Sequence, residues 1–174
     1  MLYVEPYAGV APIIQVINDA RYSINLGAYY LPSGKVLDAL HAAHARGVKA
    51  RISGADKCNV AWLVKHGVHV RLLTKRITYL HAKAVSGGQY GFVGSENFST
   101  SSLNENREVG VIIKGADLTV LKTQLQMDWK AAVPFLGGSN QGAGEYAGGS
   151  HRHHWEHHWR DSGYSDRGDS SWEC

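Results

Sequence analysis

Between Leu2 and Trp129 the apolar residues change spacing repeatedly, from every second position to every third or fourth and back. Period two matches one face of a strand, and a period of about 3.6 matches one face of a helix. Such a rhythm commits the chain to alternating strands and helices. Residues 2–5 read as a short strand and residues 10–20 as a helix whose apolar face carries Ile13, Ile14, Val16 and Ile17. Residues 23–30 return to period two with Ile24, Leu26 and Ala28. Ser33 is an expected N-cap for a helix over 35–46, with Val36, Leu37, Leu40 and Ala43 at helical spacing and Gly47 as its stop. Strands follow at 48–53 and 68–73, separated by a short helix over 59–65 that Gly67 closes. Further strands fit 80–86 and 91–93, and 109–113 is read as the last strand. Leu118, Leu121, Leu125 and Trp129 stripe a closing helix. No internal repeat interrupts the series. The class implied is α/β: a layered sandwich with a central, mostly parallel or mixed sheet flanked by helices.

The rhythm stops near Phe135. Residues 137–150, GGSNQGAGEYAGGS, have the composition of a flexible linker. The segment after it, rich in His151, His153, His154, His157 and His158, has too little aliphatic content for a core of its own. One domain over 1–136 and a tail over 137–174 are therefore expected. The tail histidines resemble a weak metal-binding tract, and the plainer reading is a disordered tail with little metal affinity. Charge divides at the same boundary: fifteen Lys and Arg stand against nine Asp and Glu up to Leu136, and three Arg against six acids beyond it. A mildly basic domain suits an anionic partner such as nucleic acid or a phospholipid headgroup. Cys58 and Cys174, far apart and alone, make no disulfide framework. No apolar run is long enough to cross a bilayer. The N-terminus, MLYVEPYAGV, has no basic region leading into an apolar one. That suits a cytoplasmic protein or, if the natural start lies upstream, an exported one.

The reactive side chains gather in residues 79–108, YLHAKAVSGGQYGFVGSENFSTSSLNENRE. His81 and Lys83 stand two apart, a spacing that puts both on one face of a strand. A Gly-Ser-x-Asn turn follows at Gly94, Ser95 and Asn97, and a carboxylate stands at Glu108. Gly94 allows close backbone approach to a ligand, and Ser95 and Asn97 offer neutral donors to phosphate oxygens. Glu108 is able to hold one nitrogen of His81 and leave the other free to attack or to protonate. A nucleophile, a fixed cation and neutral donors are the parts that phosphodiester attack requires. A lone H-x-K would be read more simply as a polar strand edge; the turn that follows changes that.

These residues resemble the signature of the phospholipase D superfamily, H-x-K-x4-D followed by G-S-x-N and a downstream Glu. The likeness extends over roughly residues 1–133, through RYSINLGAYYLPSGKVLDALHAAHARGVKARI, LVKHGVHVRLL and NREVGVII. It implies a phospholipase D-like fold and a metal-independent phosphodiesterase without a cofactor. His81 would be the nucleophile that forms a phosphohistidine, or the acid that protonates the leaving group. Lys83 would neutralise the phosphate, Ser95 and Asn97 would orient its oxygens, and Glu108 would orient His81. The mechanism needs two histidines, and single-copy members pair, so a homodimer with the active site at its two-fold axis is implied. One position departs from the signature: where the motif Asp belongs, at Gly87 or Gly88, there is none.

Small single-motif members with a basic face most resemble bacterial endonucleases, so nucleic acid is the expected substrate. Phospholipid headgroup hydrolysis is the alternative. A catalytically inactive nucleic-acid-binding relative is another, permitted by the missing Asp. Around the motif, Lys49, Arg51, Arg71, Lys75 and Arg76 are candidates for a basic rim or an ordinary solvated face, and Tyr29, Tyr30 and Tyr79 for a cleft lining or plain packing. His41, His44, His66 and His69 read as surface histidines.

Overall fold

The computed structural model describes residues 1–54, 58–73 and 79–137. Lys75, Arg76, the side chain of Cys58, and the tail from residue 138 with its histidines and Cys174 lie outside the described residues. The element order is β1 (Leu2–Val4), α1 (Ala11–Asn18), β2 (Ser23–Ala28), α2 (Gly34–Ala45), β3 (Lys49–Gly54), α3 (Cys58–Lys65), β4 (His69–Leu72), β5 (Lys83–Gly87), β6 (Tyr90–Gly94), α4 (Thr100–Asn104), β7 (Val109–Ile113), α5 (Ala116–Ala131) and β8 (Val133–Pro134).

The strands form one sheet in the order β1-β7-β6-β5-β2-β3-β4-β8. The neighbours β2, β3 and β4 are parallel, and the remaining pairs are antiparallel. The α/β layered expectation holds, with a mixed sheet. Parallel neighbours need a crossover, and α2 and α3 supply it. Both crossovers end in the same way. Gly47 (φ 85°) and Gly67 (φ 81°) take the left-handed conformation. The next residues, Val48 and Val68, return hydrogen bonds of 3.0 Å to Ala43 O and Leu63 O. Each is a Schellman closure whose buried valine leads straight into the next strand.

The main core lies between the sheet and helices α1, α2 and α3; Ile13, Ile17, Leu40, Ile52, Leu63 and Phe92 are fully enclosed there. The opposite face is covered by α5 over β2, β3, β5 and β6. Of the four-residue stripe read from the sequence, Leu118 and Leu125 are buried, and Leu121 and Trp129 are half-buried.

Three local expectations need correction. Ser33 does occupy the N-cap of α2, but its side chain makes no capping bond; its N–H donates instead to Phe98 O at 2.9 Å. The strand expected over 80–86 begins only at Lys83. The last strand is not β7: after α5 the chain returns as β8 beside β4, and Phe135 N–H donates to Val70 O at 3.0 Å. Neither the two-residue β8 nor the five-residue α4 is long enough to set up a period in the sequence.

Candidate active site

The side chains singled out in the sequence converge where β2 ends, β5 begins, β6 ends and β7 begins. The register makes this convergence unavoidable. Ala28, the last residue of β2, pairs with Lys83, the first of β5. On the other side Ala84 pairs with Val93, and Gly94 with Gly110. In a sheet that changes from parallel to antiparallel at β2, this is the carboxyl-end crevice at a change of strand order, where open α/β sheets bind ligands.

His81 stands two residues ahead of β5, on a segment held by the 3.0 Å bond from Tyr29 N–H to Ala82 O. It is exposed, whereas Lys83 behind it is buried, at 9% exposure. Lys83 Nζ lies 3.1 Å from both His81 ring nitrogens and donates to His81 O at 3.0 Å. Burial pulls the Lys83 ammonium below its ordinary value, against the attraction of Glu108, which works the other way. The pair thus presents an imidazole at the surface with a cation fixed underneath it.

Beside the pair, Ser95 Oγ donates to Glu108 Oε2 at 2.5 Å and accepts from Val109 N–H at 3.1 Å. Asn106 Nδ2 lies 3.4 Å from the other Glu108 oxygen. Glu108 was expected on His81; its hydrogen bonds go to Ser95 and Asn106 instead. Asn97 is half-buried, and its Oδ1 has no hydrogen-bond partner. The turn that carries Ser95 and Asn97 is tied to the end of β2 by a 3.3 Å bond from Phe98 N–H to Tyr30 O. Just past it, Ser99 caps α4 by accepting from Ser102 N–H at 3.2 Å.

Aromatic rings wall one side. Tyr29 lies 4.9 Å from the His81 ring centroid and 5.6 Å from that of Tyr79. Lys83 Nζ is 5.6 Å from the Tyr29 centroid, within reach of its π face. Tyr79 stacks at 15° and 6.0 Å on His81 and remains 49% exposed. A hydrogen bond with Tyr29, with burial second, pushes the Tyr79 hydroxyl up to about 12.

The missing motif Asp has a structural explanation. Gly87 ends β5 at the far end from Lys83, about 13 Å away at the usual rise per residue. There α1 passes so close that a Cβ on Gly87 would lie 2.5 Å from Val16 O, and one on Gly88 would lie 3.1 Å from Asp19 O. Gly88 also has φ 45°, and its carbonyl accepts from Lys122 Nζ at 2.6 Å. At Gly87 the space for an acid is filled by backbone, and at Gly88 the close approach and the left-handed φ strain one.

Of the described cations of the expected basic rim, Lys49 and Arg71 are engaged away from the site, and Arg51 sits mid-strand in β3 opposite Asn25. Lys49 starts β3 opposite Ser23, at the other end of the parallel strands. Arg71 lies 4.7 Å from the Trp129 ring centroid and donates to Trp129 O at 3.0 Å. Of the four histidines, His66 and His69 are exposed, while His41 and His44 are half-buried; His41 and His66 pack on Trp62. The motif reading passed over two enclosed acids here: Glu96, within the turn, and Glu5, from the end of β1, both 0% exposed. The signal for Glu96 was faint: an acid set between Phe92 and Phe98, with polar Ser95 and Asn97 on either side of it. Among the described residues no group of three or more His, Cys, Asp or Glu is placed to hold a metal ion.

The family model described as "Cardiolipin synthase, PLD-like domain" matches residues 13–129. No curated protein matches the chain. Among solved structures, the phospholipase D family member Nuc from Salmonella typhimurium superposes with a TM-score of 0.69 at 20% identity, over 78% of this chain and 96% of that one. NucT from Helicobacter pylori gives 0.69 at 22% identity, over 78% and 98%. TrmBL2, an archaeal chromatin protein whose structure shows a novel mode of DNA binding, gives 0.58 at 18% identity, over 77% and 54%.

Proposed function

The chain belongs to the phospholipase D superfamily, and from that premise we propose that it is a phosphodiesterase that cleaves nucleic acid through a phosphohistidine on His81. The observation that carries this is the exposed His81 imidazole with the buried Lys83 ammonium 3.1 Å behind it. In the first step a His81 ring nitrogen attacks phosphorus, a P–N bond forms, and the P–O bond to the leaving alcohol breaks. A second histidine donates the proton that the alcohol takes. Water then attacks the phosphohistidine, gives its proton back to that second histidine, and frees His81. Lys83 neutralises charge on the phosphoryl oxygens throughout, and Ser95 and Asn97 orient them.

The second histidine is assigned to the His81 of another copy of this chain, across a two-fold axis. An uncovered sheet face next to the site supports this. Alternation and register put Leu2, Val4, Val93 and Val109 on one face of β1, β6 and β7, beyond the cover of α5, at 69%, 41%, 36% and 51% exposure. Ser95 continues this face by two residues from Val93, so the apolar patch runs into the Ser95–Glu108 pair. Burying such a patch between two copies removes it from water and brings the two half-sites together.

Nucleic acid is preferred over phospholipid for two reasons. The 1–136 region is basic by fifteen cations to nine anions, and the Tyr29–Tyr79 wall at His81 presents ring faces on which a base adjoining the scissile phosphate can stack. No described helix is long and apolar enough to cross a membrane.

The test is plasmid nicking, and headgroup release from phosphatidylcholine vesicles, each in EDTA, with the natural protein and His81→Ala. Nicking that survives EDTA and is lost in His81→Ala supports the reading. Headgroup release without nicking selects the lipid substrate. Silence on both, with DNA retained in a salt-sensitive complex, selects a binding module.

A further inference from the structure

Glu96 lies inside the Gly94–Asn97 turn, between Ser95 and Asn97. Its carboxyl is fully enclosed, and neither oxygen has a hydrogen-bond partner. Its container is tight. A Cβ on Gly94 would fall 1.8 Å from Oε2, and one on Gly110 would fall 2.5 Å from Oε1 and 2.3 Å from Phe92 Cζ. An ionised carboxylate in such a place, without a cation or a donor, is among the most costly groups to bury; the neutral acid costs far less.

The charged groups facing it make ionisation worse. Glu5, from the end of β1, and Glu108, ahead of β7, both press on it electrostatically. Lys83 of β5 acts on Glu108. Glu5 is the better placed of the two buried acids to carry a charge: its Oε2 accepts from Gly9 N–H just before α1, and Gly9 and Ala8 oppose the effect of burial on it. Around Glu96 only the N–H groups of Ser95 and Glu96 itself work against burial, and neither completes a hydrogen bond to the carboxyl.

We propose that Glu96 is a positioning residue that works as a neutral carboxylic acid, filling the glycine-walled space under the turn and so holding Ser95 and Asn97 in place for the phosphate. Burial and the neighbouring acids raise its proton affinity, so it stays neutral where ordinary glutamates ionise. As pH rises through its native value the carboxylate forms and forces the turn open. The part of the proposal that concerns protonation stands apart from the phosphodiesterase reading; the positioning part rests on it.

The sign of the linkage gives the test. A raised native value means that the unfolded chain loses this proton first, so the stability that the neutral acid contributes falls from the unfolded value, about pH 4.5, up to the native one. Glu96→Gln, neutral at every pH and similar in shape, escapes that loss. Thermal unfolding of the natural protein and Glu96→Gln across this range is expected to give equal Tm values near the acid end and an advantage for the glutamine variant that widens by several degrees toward neutrality. A pH-independent difference, or a variant less stable throughout, overturns the proposal. A carbonyl infrared band of a protonated carboxyl at neutral pH, lost in Glu96→Gln, is expected as well. Should the variant fail to fold, a pH titration of isotope-labelled glutamates by NMR in the natural protein decides alone: one glutamate titrating well above the rest supports the proposal, and none overturns it. In the nicking assay Glu96→Ala is expected to lower kcat at least about tenfold with little change in KM, and Glu96→Gln to restore it and move the alkaline limb of the profile upward. Failure of the thermal arm removes the neutral acid; failure of nicking in all three proteins removes the phosphodiesterase reading and leaves the thermal arm intact.

Discussion

Strands β2, β3 and β4 run parallel, with α2 and α3 on one face and α5 reaching across the other, whereas β5, β6, β7 and β1 run antiparallel and leave part of one face bare. The first group has nearly all its residues enclosed at its carboxyl end: Leu26, Ala28, Ile52, Ser53 and Leu72 are buried. The second group exposes Leu2 and Val109 and holds buried ionisable side chains at Lys83 and Glu96. Parallel strands require long crossovers, and crossover helices seal them. Antiparallel neighbours are joined by short turns such as Gly88–Gln89, which leave edges and faces free for chemistry. The half that the crossovers close is sealed on both faces, and the half without them carries the groups proposed to react.

The comparison breaks most sharply if the antiparallel half is dispensable. Replacing His81 with Asn should reduce turnover by about 10⁴-fold while leaving the far-ultraviolet spectrum and Tm nearly unchanged; retained turnover in purified protein would remove His81 from the mechanism. Lys83→Met should lose about 10³-fold in turnover and yet gain stability. Burial holds the Lys83 ammonium below its ordinary value, so the native state carries this charge less readily than the unfolded chain. Stability therefore rises as pH climbs through the interval between the two values, and an uncharged side chain shows the gain already at neutral pH. A fall in Tm would mean that the bonds to His81 outweigh the cost of burial.

A charge on the bare face tests the pairing of copies. Val109→Asp should shift sedimentation from dimer to monomer and cost roughly 10²-fold in specific activity; Val120→Asp, at a still more exposed valine on α5, should change neither. If both variants sediment alike, the bare face is not where copies meet. In the parallel half, Ile52→Ala should cost about 2–5 kcal/mol of stability while activity per folded molecule stays the same, measured by denaturant unfolding beside the nicking assay. The smallest expected effect is at Tyr79: Tyr79→Phe keeps the ring face and loses the hydroxyl with its bond to Tyr29, so it should leave nicking within about twofold, whereas Tyr79→Ala should weaken binding of single-stranded DNA by about 1–3 kcal/mol.

The parallel half was legible in advance, because Ile24, Leu26, Val36, Leu40, Ile52 and Leu63 each fall on a clear period, and Gly47 and Gly67 mark where each helix must stop. The proposed site residues were candidates from the outset, since His81, Lys83, Ser95, Asn97 and Glu108 stand in one short stretch, and the fold brings them to one end of the sheet. Their mutual contacts could not be foreseen. Whether Glu108 meets His81 or Ser95 depends on side-chain geometry at the meeting of β6 and β7, and the sequence contains no measure of it. Lys49 shows the same limit: a cation near the motif in charge count proved to stand at the opposite end of β3, because parallel pairing with Ser23 decides which end it occupies. Glu96 escaped notice for a different reason. An acid in a polar turn looks solvated until the fold closes Gly94, Gly110 and Phe92 around it.

The packing of α1 against Gly87 also bears on what mutation can reach from here. Aspartate codons lie one base from glycine codons, yet Gly87→Asp would drive its Cβ into the Val16 carbonyl, 2.5 Å away, and only a chain whose α1 had already drawn back would tolerate it. At position 87 the helix and the absent acid are therefore tied to each other: an aspartate there requires α1 to move first and the codon to change second.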